Sequence, residues 1–320
     1  MSQTGAAAAP MSEPRRLAVS ANGVQLNLYR LGPEPSDATP PVVMLHGMRD
    51  VGLSLLPIAE AIAKTYPVFL MDLRGHGESD KPGGYAMVQL VYDLHVVVSE
   101  LVKEPAVLFG HSLGGHVVCR FSALFPELAL GAVVVEGLGP PAGRLPEDPR
   151  VRLKMEAERI LGSLSIPEQQ RPLPDIAFAA DRLMANNPRL TADRAMELAR
   201  QGTRVSTDGQ LEWNFDPRVQ TVFVGSDADA SERYWGDVRC PVSIIAGDLA
   251  GEYWSRAVSG KKGPADSDWT GDFAPGELEA RVATFPDAEL VRMPGSGHMV
   301  HFDEPERLAR ATLDFLERRL

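Results

Sequence analysis

The sequence predicts an α/β fold in which a mostly parallel sheet is flanked by helices and interrupted, after the sixth strand, by a helical insertion. Short, continuously apolar runs alternate with stretches of helical periodicity, which is typical of right-handed βαβ units. The runs at 42–45, 68–71, 106–109 and 132–135 are apolar at every position, as expected of parallel strands that are buried on both faces. The alternation stops at Gly137 and resumes near residue 241. These observations predict one α/β core that is split by an insertion.

The individual elements follow from apolar runs and turn residues. Residues 15–31 hold two short alternating runs around Asn22-Gly23, a strong signal for a two-residue β-hairpin. Buried strands are then predicted, in chain order, at 42–45, 68–71, 106–109, 132–135 and 242–246, and a last strand is predicted near 288–293. Helical periodicity predicts helices at 55–63, 86–102 and 117–125, and a closing helix with Leu308, Leu313 and Leu316 on one face.

The same pattern divides the chain into three parts. We expect a disordered tail at 1–14, a core at 15–137 and 238–320, and a helical cap at 138–237. Within the cap, helical patterns are found at 150–164, 175–185 and 192–201. No run resembling the earlier buried strands occurs there except the ambiguous 219–224. The cap is therefore predicted to be a mostly helical insertion.

Composition narrows the classes of function. The 320 residues carry 32 Lys and Arg against 43 Asp and Glu, a net charge of -11, which disfavours nucleic acid and anionic membrane surfaces as partners. Two cysteines, neither in a Cys-x-x-Cys pair, are typical of a reducing compartment. No apolar run is long enough to span a bilayer, and the first residues do not resemble a signal peptide. We expect a cytoplasmic protein.

The most informative stretch is Gly110-His111-Ser112-Leu113-Gly114, between a predicted buried strand and a predicted helix. In that context Gly-x-Ser-x-Gly is a nucleophile elbow, a turn so tight that the serine hydroxyl is raised above the edge of the sheet. The helix that begins there favours developing negative charge. Ser112 is therefore the candidate nucleophile.

A serine hydroxyl needs a base to remove its proton, and His298 is the candidate. It directly follows the last predicted strand, after the small residues of Pro294-Gly295-Ser296-Gly297, which leave room for an imidazole over the sheet edge. His301 is the alternative, although we expect it to be a surface residue at the start of the final helix.

Four motifs in this order resemble those of the α/β-hydrolase superfamily, and the chain is identified as a capped serine hydrolase of the esterase or lactonase type. The motifs are Leu45-His46-Gly47-Met48, the segment 72–79 (DLRGHGES), Gly110-His111-Ser112-Leu113-Gly114-Gly115, and Gly297-His298. The resemblance implies that the backbone amides of Met48 and Leu113 form the oxyanion hole and that Gly47 lets its loop turn toward the serine. It also implies that residues 138–237 roof the pocket, where Trp213 is a candidate substrate contact.

The third member of the triad departs from the commonest pattern of the superfamily. The usual acid position, three residues after the glycine that ends strand 242–246, is occupied by Ala250. Asp248 directly follows that glycine, and Glu136 directly follows strand 132–135, where some branches of the superfamily place the acid. Both remain candidates. We expect Glu136 to carry the role because its longer side chain reaches farther from a neighbouring strand.

The sequence therefore predicts hydrolysis of a carboxylic ester or lactone through an acyl-enzyme, with no cofactor and no metal site. Hydrolysis of a carbon–carbon bond by the same triad is the alternative reaction. A ligand receptor on the same fold with residual hydrolysis is the alternative from a different class. The expected partner is a small molecule, and a homodimer is left open. Residues 251–276 are predicted to be a polar loop that edges the pocket mouth or a disordered surface insertion.

Overall fold

The computed structural model of the protein describes residues 13–36, 39–142, 148–224, 228–259 and 270–320. Residues 1–12 of the predicted tail and 260–269 of the predicted loop lie outside them. The strands are β1 (Arg15–Ala21), β2 (Val24–Leu31), β3 (Val42–Leu45), β4 (Val68–Met71), β5 (Ala106–His111), β6 (Ala129–Val135), β7 (Thr203–Val205), β8 (Leu211–Trp213), β9 (Val242–Gly247) and β10 (Ala288–Met293).

The helices surround these strands. They are α1 (Leu56–Ile62), α2 (Met87–Val96), α3 (Leu113–Leu124), α4 (Pro149–Ser163), α5 (Ile176–Asn186), α6 (Ala192–Gly202), α7 (Ala228–Trp235), α8 (Gly251–Ser259), α9 (Glu277–Val282), α10 (Val300–Asp303) and α11 (Pro305–Arg319). Short 3₁₀ segments lie at Gly52–Leu55, Pro126–Leu128 and Pro217–Phe223, and a π-helical turn at Val97–Val102 continues α2. Within the described parts of the chain, every helix is too short or too polar to cross a lipid bilayer.

Eight of the described strands form one sheet in the order β1-β2-β4-β3-β5-β6-β9-β10. In this sheet β4, β3, β5, β6, β9 and β10 pair in parallel, whereas β1 and β2 pair antiparallel as a hairpin and β2 pairs antiparallel with β4. Asn22 and Gly23 join the hairpin with φ of 47° and 76°, the left-handed conformation that a type I′ turn requires at both positions. The predicted mostly parallel sheet flanked by helices is thus confirmed.

Alternate residues of the central strands face opposite helical layers, which explains their continuous apolarity. On β3, Val43 and Leu45 pack into the layer that contains α2, α3, α7 and α9. Val42 and Met44 pack into the opposite layer, formed by α1 and α11. None of these four side chains is exposed. The two layers hold the sheet rigidly, so the loops at the carboxyl ends of its strands are positioned by a fixed frame.

The chain between β6 and β9 forms the insertion. Helices α5 and α6, which pack together, share a small apolar cluster that includes Leu198 and Phe302, the latter from α10. The ambiguous run at 219–224 is mostly 3₁₀ helix rather than strand. Helix α7 packs on α3, and Trp235 is buried in the main core with its ring stacked on Phe285. The structure therefore groups α7 with the core, although the predicted cap ran to residue 237.

Candidate active site

The turn from β5 into α3 has the geometry of the predicted elbow. Ser112 has φ 48° and ψ -110°, a strained conformation for a residue that is not glycine. A Cβ atom at Gly110 would lie 2.4 Å from the Gly114 backbone, and one at Gly114 would lie 2.5 Å from the Leu45 carbonyl oxygen. Only glycine fits at either position, and the close approach that results raises the Ser112 hydroxyl above the sheet edge.

Three side chains form a hydrogen-bonded chain at this edge. The Ser112 hydroxyl donates to His298 Nε2 at 3.1 Å, and His298 Nδ1 donates to Glu136 Oε2 at 3.0 Å. The other carboxylate oxygen of Glu136 accepts the backbone N–H of Gly247 at 2.8 Å. This second bond fixes the carboxylate, which in turn fixes the imidazole with its unprotonated nitrogen toward the serine. Such an arrangement allows His298 to remove the hydroxyl proton.

The structure places the alternative acid elsewhere. The Asp248 carboxylate faces Arg292 at 3.6 Å, and its side chain is 39% exposed. The backbone explains the difference, because the Asp248 N–H is held by the Met293 carbonyl, which turns the residue outward at the rim between β9 and β10. Glu136, with φ 52°, turns inward at the end of β6 instead. Of the two candidates, Glu136 is the one that meets His298.

The loop after β3 lies against the elbow. A Cβ atom at Gly47 would lie 2.7 Å from His111 Nδ1 and 3.3 Å from Ser112 Cβ, so this close approach requires a glycine. Met48 follows and lines the same cavity as Ser112, and Leu113 is the first residue of α3, where backbone N–H groups have no partner within the helix. The two predicted oxyanion-hole residues therefore flank the nucleophile on different elements.

Two buried histidines, which the sequence left without a role, anchor that loop. His76 Nε2 accepts the backbone N–H of Arg49 at 3.1 Å, and His46 Nε2 accepts that of Leu73 at the same distance. Burial lowers the pKa of His76 to about 3, so the ring stays neutral and keeps its acceptor. The loop that carries Met48 is thus fixed from below by the segment after β4.

A polar cluster lies behind the elbow, formed by Asp50, His111 and His301. His301 is fully buried, not at the surface as the sequence predicted, and its Nε2 lies 3.1 Å from Asp50 Oδ2. His111 Nε2 donates to the carbonyl oxygen of His298 at 2.9 Å. Among the described residues, this is the one group whose potential metal-ligand atoms converge, within 4.8 Å of one another. Burial lowers the pKa of both His111 and His301, which favours neutral rings.

A cavity of about 280 Å³ opens in front of Ser112. Its described lining combines core and insertion, and includes Met48, Leu138, Pro140, Phe223, Ser231 and Trp254. Trp213, the predicted substrate contact, is not part of that lining. It lies on β8, stacks on Phe215 and packs into the cluster under α5 and α6. The ring therefore faces the cluster of α5 and α6 and not the cavity in front of Ser112, which the sequence pattern could not reveal.

Helix α8 covers the imidazole, although its residues were predicted to be a loop. The Tyr253 ring lies parallel to the His298 ring, at 9° and 4.0 Å between centroids, and Trp254 meets that ring edge-on at 4.9 Å. Burial raises the pKa of Tyr253, which keeps the phenol neutral. The adjacent aromatic pair just after a late strand was the available sequence signal, but the glycine-rich surroundings obscured it.

Comparisons with known proteins agree with this geometry. The family model described as the Alpha/beta hydrolase family matches residues 42–311. A "Serine hydrolase-like protein" of Danio rerio is 25% identical over 284 residues, which cover 87% of this chain and 81% of that protein. A "Putative carbamate hydrolase RutD" of Escherichia coli O26:H11 is 25% identical over 279 residues, covering 86% and 91% respectively.

Two solved structures share the fold. The thioesterase domain from the curacin biosynthetic pathway has a TM-score of 0.75 at 24% identity, covering 95% of this chain and 100% of that one. E-2-(Acetamidomethylene)succinate hydrolase has a TM-score of 0.70 at 21% identity, with the same coverage of both chains. The family match spans most of the chain and its residue range includes Ser112, Glu136 and His298. The chain is a hydrolase and belongs to the alpha/beta hydrolase family.

Proposed function

We propose that the chain hydrolyses compact carboxylic esters or lactones through an acyl-enzyme formed on Ser112. The observation that carries this proposal is the continuous hydrogen-bonded path from Ser112 through His298 to Glu136, at 3.1 and 3.0 Å, with the serine facing a cavity. Such a path joins a nucleophile, a base and an orienting acid, the three roles of a serine hydrolase.

In the first half of the reaction, Ser112 Oγ attacks the carbonyl carbon of the ester while His298 Nε2 takes the hydroxyl proton. The carbonyl oxygen becomes an oxyanion, and in this proposal the backbone N–H groups of Met48 and Leu113 stabilise it. As the tetrahedral intermediate collapses, the bond to the alkoxy oxygen breaks and His298 returns the proton to that oxygen. The Glu136 carboxylate stabilises the imidazolium between these steps.

In the second half, water replaces the alcohol. His298 takes a proton from the water as its oxygen attacks the acyl carbon, and the bond to Ser112 Oγ breaks when the proton is delivered to that oxygen. The products are a carboxylic acid and the free enzyme, and a lactone yields a single hydroxy acid. Ser112, His298, the leaving alkoxy oxygen and water account for every proton that moves in this cycle.

The cavity suggests the size and polarity of the substrate. Its volume of about 280 Å³ is close to the lower limit for small-molecule sites, which favours a compact substrate. The apolar lining, with Met48, Leu138 and Phe223, suits an aliphatic or aromatic acyl group. Ser231 and Glu232 line the same cavity and offer polar contacts to a substituent on that group.

A fluorophosphonate probe tests the nucleophile directly. We expect the wild-type protein to be labelled once, at Ser112, and Ser112→Ala to lose both labelling and turnover. Ser231→Ala is the matched control, because Ser231 is a second serine in the same cavity, although its hydroxyl is held by Arg120 at 2.7 Å. Labelling that persists in Ser112→Ala and disappears in Ser231→Ala would refute the assignment.

A substrate panel then tests the reaction class. It should contain esters and lactones of graded size, a thioester, an amide, a carbamate and a diketone. We expect steady turnover of at least one small ester or lactone at a rate above those for the other bonds. A single turnover that stops with one acyl group retained per protein would favour a receptor, and turnover of the diketone alone would favour carbon–carbon bond hydrolysis.

A further inference from the structure

Arg189, in the turn between α5 and α6, joins the insertion to the segment that carries His298. Its Nε donates to Asp303 Oδ2 at 2.9 Å, and one terminal nitrogen donates to Glu252 Oε2 at 2.9 Å. The guanidinium also fills the space beside Gly297, where a Cβ atom would meet it at 2.1 Å. One side chain of the insertion thus contacts two separate parts of the core.

The first contact leads to the residue before His298. Asp303 Oδ2, besides accepting from Arg189, accepts the backbone N–H of Gly297 at 2.7 Å and the Ser296 hydroxyl at 3.4 Å. The Asp303 side chain is only 3% exposed, and its other carboxylate oxygen is buried with no hydrogen-bond partner among the residues that the structure describes. A carboxylate this buried needs a cation close by, and Arg189 supplies it. Without the Arg189 guanidinium, the Asp303 carboxylate would no longer be held in place to accept the Gly297 backbone N–H.

The second contact, between Arg189 and Glu252, involves the helix that covers the His298 imidazole. Glu252 precedes Tyr253 on α8, and the Tyr253 ring is stacked on His298. The pair between Arg189 and Glu252 therefore holds the helix whose aromatic face limits how the imidazole can tilt. Asp303 holds the backbone of Gly297, the residue before His298, and Glu252 is adjacent to Tyr253, whose ring stacks on His298.

We propose that Arg189 is a positioning residue that sets the orientation of His298 and makes it depend on the docking of the insertion. The inference rests on the proposed function only in that His298 is taken as the base. It adds that residues of the insertion act on the catalytic rate and not on substrate choice alone. A docked insertion holds the imidazole in line with Ser112, whereas an undocked one releases the backbone at Gly297 and the ring stack together.

The test compares three variants on an ester that the wild-type protein turns over. Arg189→Met keeps length but removes the charge, and a small displacement of a catalytic group is expected to lower kcat by about 10-fold or more. KM should change by less than about twofold, because Arg189 does not line the cavity. Arg189→Lys keeps one charged donor for Asp303 and should recover part of kcat. Arg204→Met is the matched control, since it removes another ion pair of the insertion, with Glu212 at 2.7 Å.

A spectroscopic readout separates positioning from general stability and needs no substrate. The proton on His298 Nδ1, hydrogen-bonded to Glu136, should give a downfield resonance that broadens or moves upfield in Arg189→Met and stays in Arg204→Met. The proposal is overturned if Arg189→Met keeps both kcat and this resonance, if its loss is in KM alone, or if the lysine variant is as slow as the methionine variant. Absence of turnover in the wild-type protein would count against the proposed function instead, and the resonance would still decide the role of Arg189.

Discussion

Replacing Glu136 with Gln isolates the work of the third triad member. The carboxylate accepts two N–H groups, one on each oxygen, from His298 and from the Gly247 backbone. A glutamine amide has one oxygen and one NH₂ group, so it can accept only one of these bonds, and its NH₂ must face the other donor. If the oxygen stays on Gly247, the NH₂ group donates to Nδ1 and stabilises the imidazole tautomer that cannot take a proton from Ser112.

We therefore expect Glu136→Gln to lower kcat by about 10²- to 10⁴-fold, equivalent to about 3 to 5 kcal/mol of transition-state stabilisation. Asp248→Asn is the matched control, since it neutralises an acid beside β9 that is more than a third exposed and paired with Arg292. It should change kcat by less than about threefold, as expected for a surface ion pair. Steady-state kinetics on the same ester, with circular dichroism to check the fold, measure both. An unchanged rate in Glu136→Gln with a large loss in Asp248→Asn would refute the reasoning.

Three further outcomes can be measured. Gly114→Ala places a Cβ atom 2.5 Å from a backbone carbonyl oxygen and should destabilise the fold by at least about 2 kcal/mol in urea, whereas Gly162→Ala, with no neighbour within 4 Å, should be neutral or slightly stabilising. His76 binds a proton below about pH 6.5 in the unfolded chain but only below about pH 3 in the folded chain. The free energy of unfolding therefore falls on acidification from pH 6.5, by about 2 kcal/mol at pH 5. His76→Gln should reduce this pH dependence, which urea unfolding at several pH values measures. Phe223→Ala, which enlarges the cavity, should shift ester preference toward larger acyl groups, whereas Trp213→Ala should leave the preference unchanged.

The central strands were predictable because they are buried on both faces and are therefore continuously apolar, as in β3 and β4. The hairpin was predictable because Asn22 and Gly23 both accept a left-handed backbone. The positions of Ser112 and His298 at strand ends were also visible, since the elbow and the glycine-rich turn are short local patterns. These features depend on neighbours in sequence, and a single chain is enough to reveal them.

Features that depend on where a side chain points were not predictable. Glu136 and Asp248 each follow a strand, and only the turn of the backbone after each strand decides which carboxylate faces the imidazole. Helix α8 is too short for its period to stand out from a glycine-rich stretch, so its segment was expected only as a loop at the pocket mouth or a surface insertion, and the stacking of Tyr253 on His298 was not predicted. Arg189 carried no local signal, because its partners lie far away in sequence.

The left-handed backbone at Ser112 and Glu136 constrains how this sequence can evolve. Each strained residue opposes folding by about 1–3 kcal/mol, a sizeable share of the 5–15 kcal/mol by which a typical domain is stable. Glycine would relieve the strain at both positions but would remove the nucleophile or the acid. Selection for stability alone would therefore favour inactive descendants, and only selection for turnover keeps these two side chains in place.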